Sequence, residues 1–179
     1  AGGGAIAGAL GLSPQAPFSL RVDAAGRMRE GRFEALARSG AATPLRAAGA
    51  WTPGGGRAAG RLDLSASSLT ASLAERLGGE VRFQAGGAQA PGDLHALNAR
   101  FEAPNLTLRA TGLANLGERR TGPQGLSIVA EAPRLDQLAG GPEAGRLRVG
   151  GLLSGSGEAL AFRGEASLQD FASGGYRLS

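Results

Sequence analysis

Apolar residues fall at every second position along a succession of short runs, and Gly, Pro, Asp or Asn residues punctuate them. Phe18, Leu20 and Val22 alternate with Ser19, Arg21 and Asp23, and Val81, Phe83 and Ala85 alternate with Glu80, Arg82 and Gln84. Leu97, Ala99, Phe101 and Ala103 are separated by Asn98, Arg100 and Glu102, and the same period returns at Leu106, Leu108 and Ala110. A period of two places every greasy side chain of a strand on one face, so each run predicts a strand with one apolar and one polar side. Further strands are expected over 32–38, 45–51 and 58–64, from Leu126 to Ala130, around Leu147 and Val149, from Leu160 to Leu168, and near Tyr176 and Leu178. The runs follow almost end to end with no convincing helix between them, which predicts a sheet with one long apolar face.

Punctuation places the turns at Ala24-Ala25-Gly26, in the loops TPGGG (52–56) and GGAQAPGD (86–93), in the polar stretch 115–125, and at the glycines 150, 151, 155 and 157. Between Phe101 and Leu106 the inward parity passes from odd to even positions, and a bend or bulge at Pro104 accounts for that, because proline has no donor for the ladder. Residues 69–77 read as a strand followed by a turn, with a short helix as the alternative because Leu69, Leu73 and Leu77 are spaced by four. PRLDQLAGGP (133–142) reads as one helical turn or an irregular link. The segment 1–16 is a Gly/Ala-rich lead-in with little pattern, and 17–179 forms one patterned region. LRAAG at 45–49 returns as LRATG at 108–112, and EVRFQAG at 80–86 is echoed by GRLRVGG at 145–151, which suggests a repeat near 63 residues.

Composition qualifies this picture. Hydrophobic residues make up 42% of the 179, but 32 positions are Gly and only 4% are aromatic, so the apolar face is lined with small side chains and any core is thin. The 19 basic residues are all Arg and stand against 15 acidic ones. They sit singly on the polar sides of strands among carboxylates, a solvated mixed-charge face rather than a phosphate-binding stripe, and Phe83, Phe101 and Phe162 fall on the opposite parity, away from the arginines. Nucleic acid is therefore not the expected partner.

The residues point to no enzyme. With no Cys there is neither thiolate nor disulfide, and the single histidine, His95, reads as a solvated or hydrogen-bonded surface residue rather than a ligand. No nucleophile elbow, calcium loop or phosphate loop is present, so no catalytic residue, metal site or cofactor is expected. No apolar run is long enough to span a membrane as a helix, and the chain reads as an internal piece of something longer. An outer-membrane barrel would need aromatic girdles, and Tyr and Trp are nearly missing. What remains is a one-sided apolar sheet. It either closes on a second sheet or stacks into a packed solenoid of structural or adhesive type, or it stays open as a trough. At about 0.8 kcal/mol per buried methylene, an apolar trough can hold an acyl chain without any specific polar site.

The cadence GRLDLSASSLTASLAERLGGEVRFQAG, then LHALNARFEAPNLTLRATG, then LSIVAEAPRLDQLAG and the turn into GRLRVGG resembles the periplasmic repeat region of the TamB and AsmA-like proteins of Gram-negative bacteria. The resemblance covers most of 17–179 and rests on cadence rather than on a catalytic motif. It implies an all-β, elongated, repetitive antiparallel sheet folded over an apolar groove, a β-taco with few or no helices. It also implies a periplasmic location within an inner-membrane-anchored protein, carriage of phospholipid acyl chains between the inner and outer membranes, and an Omp85-type outer-membrane partner reached through another part of the chain, with a role in assembling outer-membrane proteins. On this resemblance Leu62, Leu64, Val81, Phe83, Phe101, Leu106, Leu108, Leu126, Ile128, Leu147, Val149 and Phe162 line the groove.

Overall fold

A computed structural model describes residues 8–13, 15–139, 144–157, 159–173 and 176–178. The strands are β1 (Phe18–Arg27), β2 (Glu30–Ser39), β3 (Ala42–Thr52), β4 (Gly55–Asp63), β5 (Glu80–Ala90), β6 (Leu94–Ala103), β7 (Leu106–Asn115), β8 (Arg120–Ala132), β9 (Ala144–Ser156), β10 (Ala159–Ser173) and β11 (Tyr176–Leu178). They lie side by side in chain order, each antiparallel to its sequence neighbour, in one elongated 11-stranded sheet. Among the described residues the sheet is open, with β1 and β11 as its edges, so they form neither a closed barrel nor a stack of solenoid rungs.

The expected alternation sets the register, but several turns lie elsewhere than punctuation suggested. Ala24-Ala25-Gly26 belongs to β1, which turns instead at Met28-Arg29. Gly55 and Gly56 open β4, residues 86–90 extend β5, and Gly150, Gly151 and Gly155 lie within β9. Residues 120–125, expected in a loop, start β8, whose register shifts between Arg120 and Leu126. Outside 122–125, where the register shifts, the neighbouring strands pair with these residues, and that pairing overrides the local preference of Gly for turns. The turn after β5 is Pro91-Gly92-Asp93, closed by Asp93 at φ 56°.

Pro104-Asn105 is not a bulge. It is the two-residue connection of the β6–β7 hairpin, with Ala103 opposite Leu106 and Phe101 opposite Leu108. Paired residues share a face, so the switch from odd to even parity follows from the turn alone.

The second correction concerns 69–77, where the helical alternative prevails as α1 (Ala71–Leu77). After β4 the chain leaves the sheet. The Asp63 carboxylate accepts a hydrogen bond from the Ser65 backbone N–H at 3.0 Å and opens a 3-10 turn over Leu64–Ala66. Thr70 Oγ1 then donates to the Leu64 carbonyl at 2.6 Å, and α1 stops at Gly78, whose φ of 97° suits a residue without Cβ. With no neighbouring strand to pair with, the segment satisfies its backbone through the helix itself and through partners outside it, the Ser68 N–H donating to the Gly11 carbonyl. A second short helix, α2 (Leu135–Ala139), joins β8 to β9, and α1 contacts α2. Residues 140–142 of the link, and 1–7 and 14 of the lead-in, lie outside the described residues.

Burial is concentrated along one side of the sheet. Among the described residues no large side chain is fully buried. Most of the buried residues, Leu12, Ala37, Ser39, Leu64, Val81, Asn105 and Ala132, lie at or beside the strand ends where the 3-10 turn, both helices and the β6–β7 turn gather; Ala114 and Asn115 are buried at the other end of β7, beside the turn into β8. Asn105 ties this side together: its Nδ2 donates to the Arg76 carbonyl at 2.9 Å and its backbone N–H to the Leu77 carbonyl at 3.1 Å. Asn105→Ala leaves the Arg76 carbonyl without this partner and is expected to cost about 1–3 kcal/mol. Hydrogen exchange checks it: protection should fall in 71–78 and stay unchanged in β9 and β10.

Candidate functional site: one apolar face of an open sheet

The printed register carries single rows of side chains across the sheet from β1 to β10. One row reads Val22, Ala35, Ala47, Gly60, Phe83, Phe101, Leu108, Ala130, Val149 and Ala166. The next, two residues along each strand, reads Ala24, Phe33, Gly49, Ala58, Ala85, Ala99, Ala110, Ile128, Gly151 and Gly164. A third runs from Gly26 and Gly31 through Trp51, Gly56, Gly87, Leu97, Gly112, Leu126 and Leu153 to Phe162. No charged residue interrupts them. At roughly 4.8 Å per strand the rows are about 43 Å long.

Eleven of the twelve groove-lining candidates stand on this face. Phe83, Phe101, Leu108 and Val149 share the first row, Ile128 the second, and Leu126 and Phe162 the third. Leu62 opposite Val81, together with Leu106 and Leu147, lies nearer the helices. Leu64 is set apart, buried in the 3-10 turn beyond the end of β4. The candidates are not equally open: Val81 is buried and most others are half-buried, while Phe101 is 39% and Phe162 49% exposed.

The twelve candidates include none of the small residues of the middle row. From β3 to β7 it offers only Gly49, Ala58, Ala85, Ala99 and Ala110, a lane floored by backbone and single methyl groups. Glycines also seat the aromatic rings. A Cβ on Gly60 would lie 2.7 Å from the Phe83 ring, and one on Gly151 or Gly164 would lie 2.7 or 2.8 Å from Phe162 Cζ. The rings therefore lie flat along the sheet and thicken the face rather than standing off it. The signal was available in the register: a Gly directly or diagonally across from an aromatic.

The polar face differs in relief. Its long arginines stand off the sheet and wall a hollow of about 810 Å³ between β1 and β6, and a smaller one of about 320 Å³ between β7 and β10. Short Ala and Gly side chains give the apolar face a shallow floor instead, and these two hollows are walled mainly by polar-face residues, on the side opposite the expected groove.

No protein-family model, curated protein or solved structure matches this chain.

The site must therefore be read from its own chemistry. No group of three or more His, Cys, Asp or Glu side chains able to hold a metal occurs among the described residues, and no helix is long and apolar enough to cross a membrane. His95 departs from expectation. It stands on the apolar parity opposite Gln89 and Ala114, half-buried, with Nδ1 buried and unpartnered. The ion pairs are exposed and mostly local. Arg21 Nε meets Asp23 at 2.6 Å, and this hydrogen bond, with the carboxylate's charge, holds the Arg21 proton more tightly than usual. A hydrogen bond from Gln137 lowers the Asp136 pKa. Such exposed pairs contribute little stability.

Proposed function

We propose that this chain carries the acyl chains of phospholipid along its apolar face, as a non-catalytic segment of a periplasmic bridge of the TamB and AsmA-like type. The observation that carries this reading is the run of rows from β1 to β10 with no charge in them and, among the described residues, no second layer over the exposed rings of Phe101 and Phe162. A packed solenoid would bury such rings, whereas a lipid track needs them reachable. Curling of the sheet about its long axis would turn the shallow face into the β-taco groove, and the half-buried row beside the helices would form its closed side. Small residues in the middle row leave width for a chain to slide, and burial of roughly 25 cal/mol per Å² holds it without a trapping pocket. In this reading the full protein is anchored in the inner membrane, reaches an Omp85-type outer-membrane partner through another part of its chain, and assists outer-membrane protein assembly.

Native mass spectrometry with lipid extraction on the 179-residue chain tests it. Phospholipid is expected to co-purify or to load from vesicles. It should be lost in the double variant Phe83→Asp, Phe101→Asp, which places two carboxylates in adjacent strands on the face, while circular dichroism still reports a sheet. A well-folded wild-type chain that stays empty after incubation with phospholipid would sink the reading.

A further inference from the structure

The polar face holds a feature that lipid carriage leaves unused. Arg46, Arg61 and Arg82 stand directly opposite one another on β3, β4 and β5. Like charges facing across a ladder, with Cβ atoms about 4.5–5.5 Å apart, disfavour the pairing. The same row solves this problem elsewhere with opposite charges: Glu131 on β8 faces Arg148 on β9, with Nε and Oε1 3.6 Å apart. Between β3 and β5 no such alternation exists. Glu80 reaches Arg61 at 3.7 Å and Arg82 at 3.5 Å, both longer than a charge-assisted hydrogen bond, and Arg46 makes no ion pair among the described residues.

The three arginines wall the 810 Å³ hollow together with Arg21 and Arg100. Its carboxylates are largely engaged: Asp23 is held by Arg21 and Glu102 by Arg100, leaving Glu34 as the remaining acid in the lining. The floor between them is neutral, from Ala48 and Ala59. Guanidinium groups are planar forks that match tetrahedral oxyanions bidentately, and three of them in successive strands span about 10 Å at roughly 4.8 Å per strand.

We infer that the hollow over Arg46, Arg61 and Arg82 is a binding site for a ligand carrying two or more phosphate-type oxyanions, which supply the negative charge the ladder lacks. The oxyanions belong either to a free diphosphate or to anionic lipid headgroups. The site faces away from the apolar rows, so it stands whether or not those rows carry lipid.

The test uses two probes on the 179-residue chain at low ionic strength: inorganic pyrophosphate by calorimetry, and vesicles of phosphatidylcholine with or without phosphatidylglycerol by sedimentation. Saturable pyrophosphate binding assigns a soluble ligand. Binding only to the phosphatidylglycerol vesicles assigns headgroups. Either should weaken at least about tenfold in the triple variant Arg46→Gln, Arg61→Gln, Arg82→Gln, and should fade with added salt as screening grows. Arg163→Gln, on the polar face of β10, should bind as the wild type does. The double variant Phe101→Asp, Phe162→Asp, whose positions do not line the hollow, should also keep pyrophosphate binding, which separates this site from the lipid reading. If the triple variant unfolds, Arg46→Gln alone, which breaks no ion pair among the described residues, should still weaken binding. Neither probe binding, or equal binding by the arginine variants and the wild type, overturns the inference.

Discussion

Gly151→Val is expected to lower the stability of the sheet by about 1–3 kcal/mol, the usual cost of forcing extra methyl groups into an occupied space. Gly151 lies in β9, opposite Ile128 on one side and Gly164 on the other. A Cβ there would stand 2.6 Å from the Gly164 Cα and 2.7 Å from Phe162 Cζ, so a valine must push out the ring and part β9 from β10. The neighbouring glycine makes the argument sharp. Gly150 points to the polar face, where an added Cβ meets nothing within 4 Å, and its φ is not in the left-handed region. Gly150→Val should therefore be neutral or slightly stabilising, since a β-branched residue suits a strand and restricts the unfolded chain. Urea unfolding of the two variants measures the contrast. Equal losses would mean that Phe162 does not rest on its glycine seat and that the face is not built as described.

The alternation of apolar and polar positions carried most of this architecture into view before any coordinates. Period two fixes the face of each residue, and antiparallel pairing of neighbours keeps that face continuous, so residues as distant as Val22 and Ala166 fall in one row. The turns were harder to read, for a physical reason. Glycine marks a turn when it is isolated, but Gly87 and Gly151 are held in strands by neighbours on both sides, and Gly164 by β9, and they provide room for a leucine or a ring. Composition at one position cannot distinguish these uses; the partner strand can. Helix α1 escaped for the complementary reason. Leu69, Ala71 and Leu73 satisfy a strand pattern and Leu69, Leu73 and Leu77 a helical one, and only the absence of a pairing strand beyond Asp63 decides between them. The site was legible in its large residues and illegible in its small ones, because Ala58, Ala85 and Ala99 gain meaning only once the register sets them side by side.

That alignment leads to the second large effect. Ala99→Trp should slow phospholipid transfer between vesicles about tenfold or more while leaving the sheet folded. Ala99 stands mid-lane on β6 with Ala85 and Ala110 beside it, and it is half-buried, so an indole there rises over neighbouring methyl groups rather than into a packed interior. A ring that displaces two methylenes of a passing acyl chain forfeits about 1.6 kcal/mol at roughly 0.8 kcal/mol each. Each 1.4 kcal/mol or so added to a barrier slows a step about tenfold. The control is Ala50→Trp, which puts the same ring on the opposite face of β3, facing Arg57, away from the lane and outside the arginine hollow. It should transfer lipid at the wild-type rate. Lipid loading without transfer in the Ala99 variant would place the barrier at the lane itself, because the outer rows remain available for binding. An unchanged rate in a folded Ala99 variant would mean that acyl chains do not travel over the small-residue row, and that the aromatic rows, not the lane between them, are what a lipid touches.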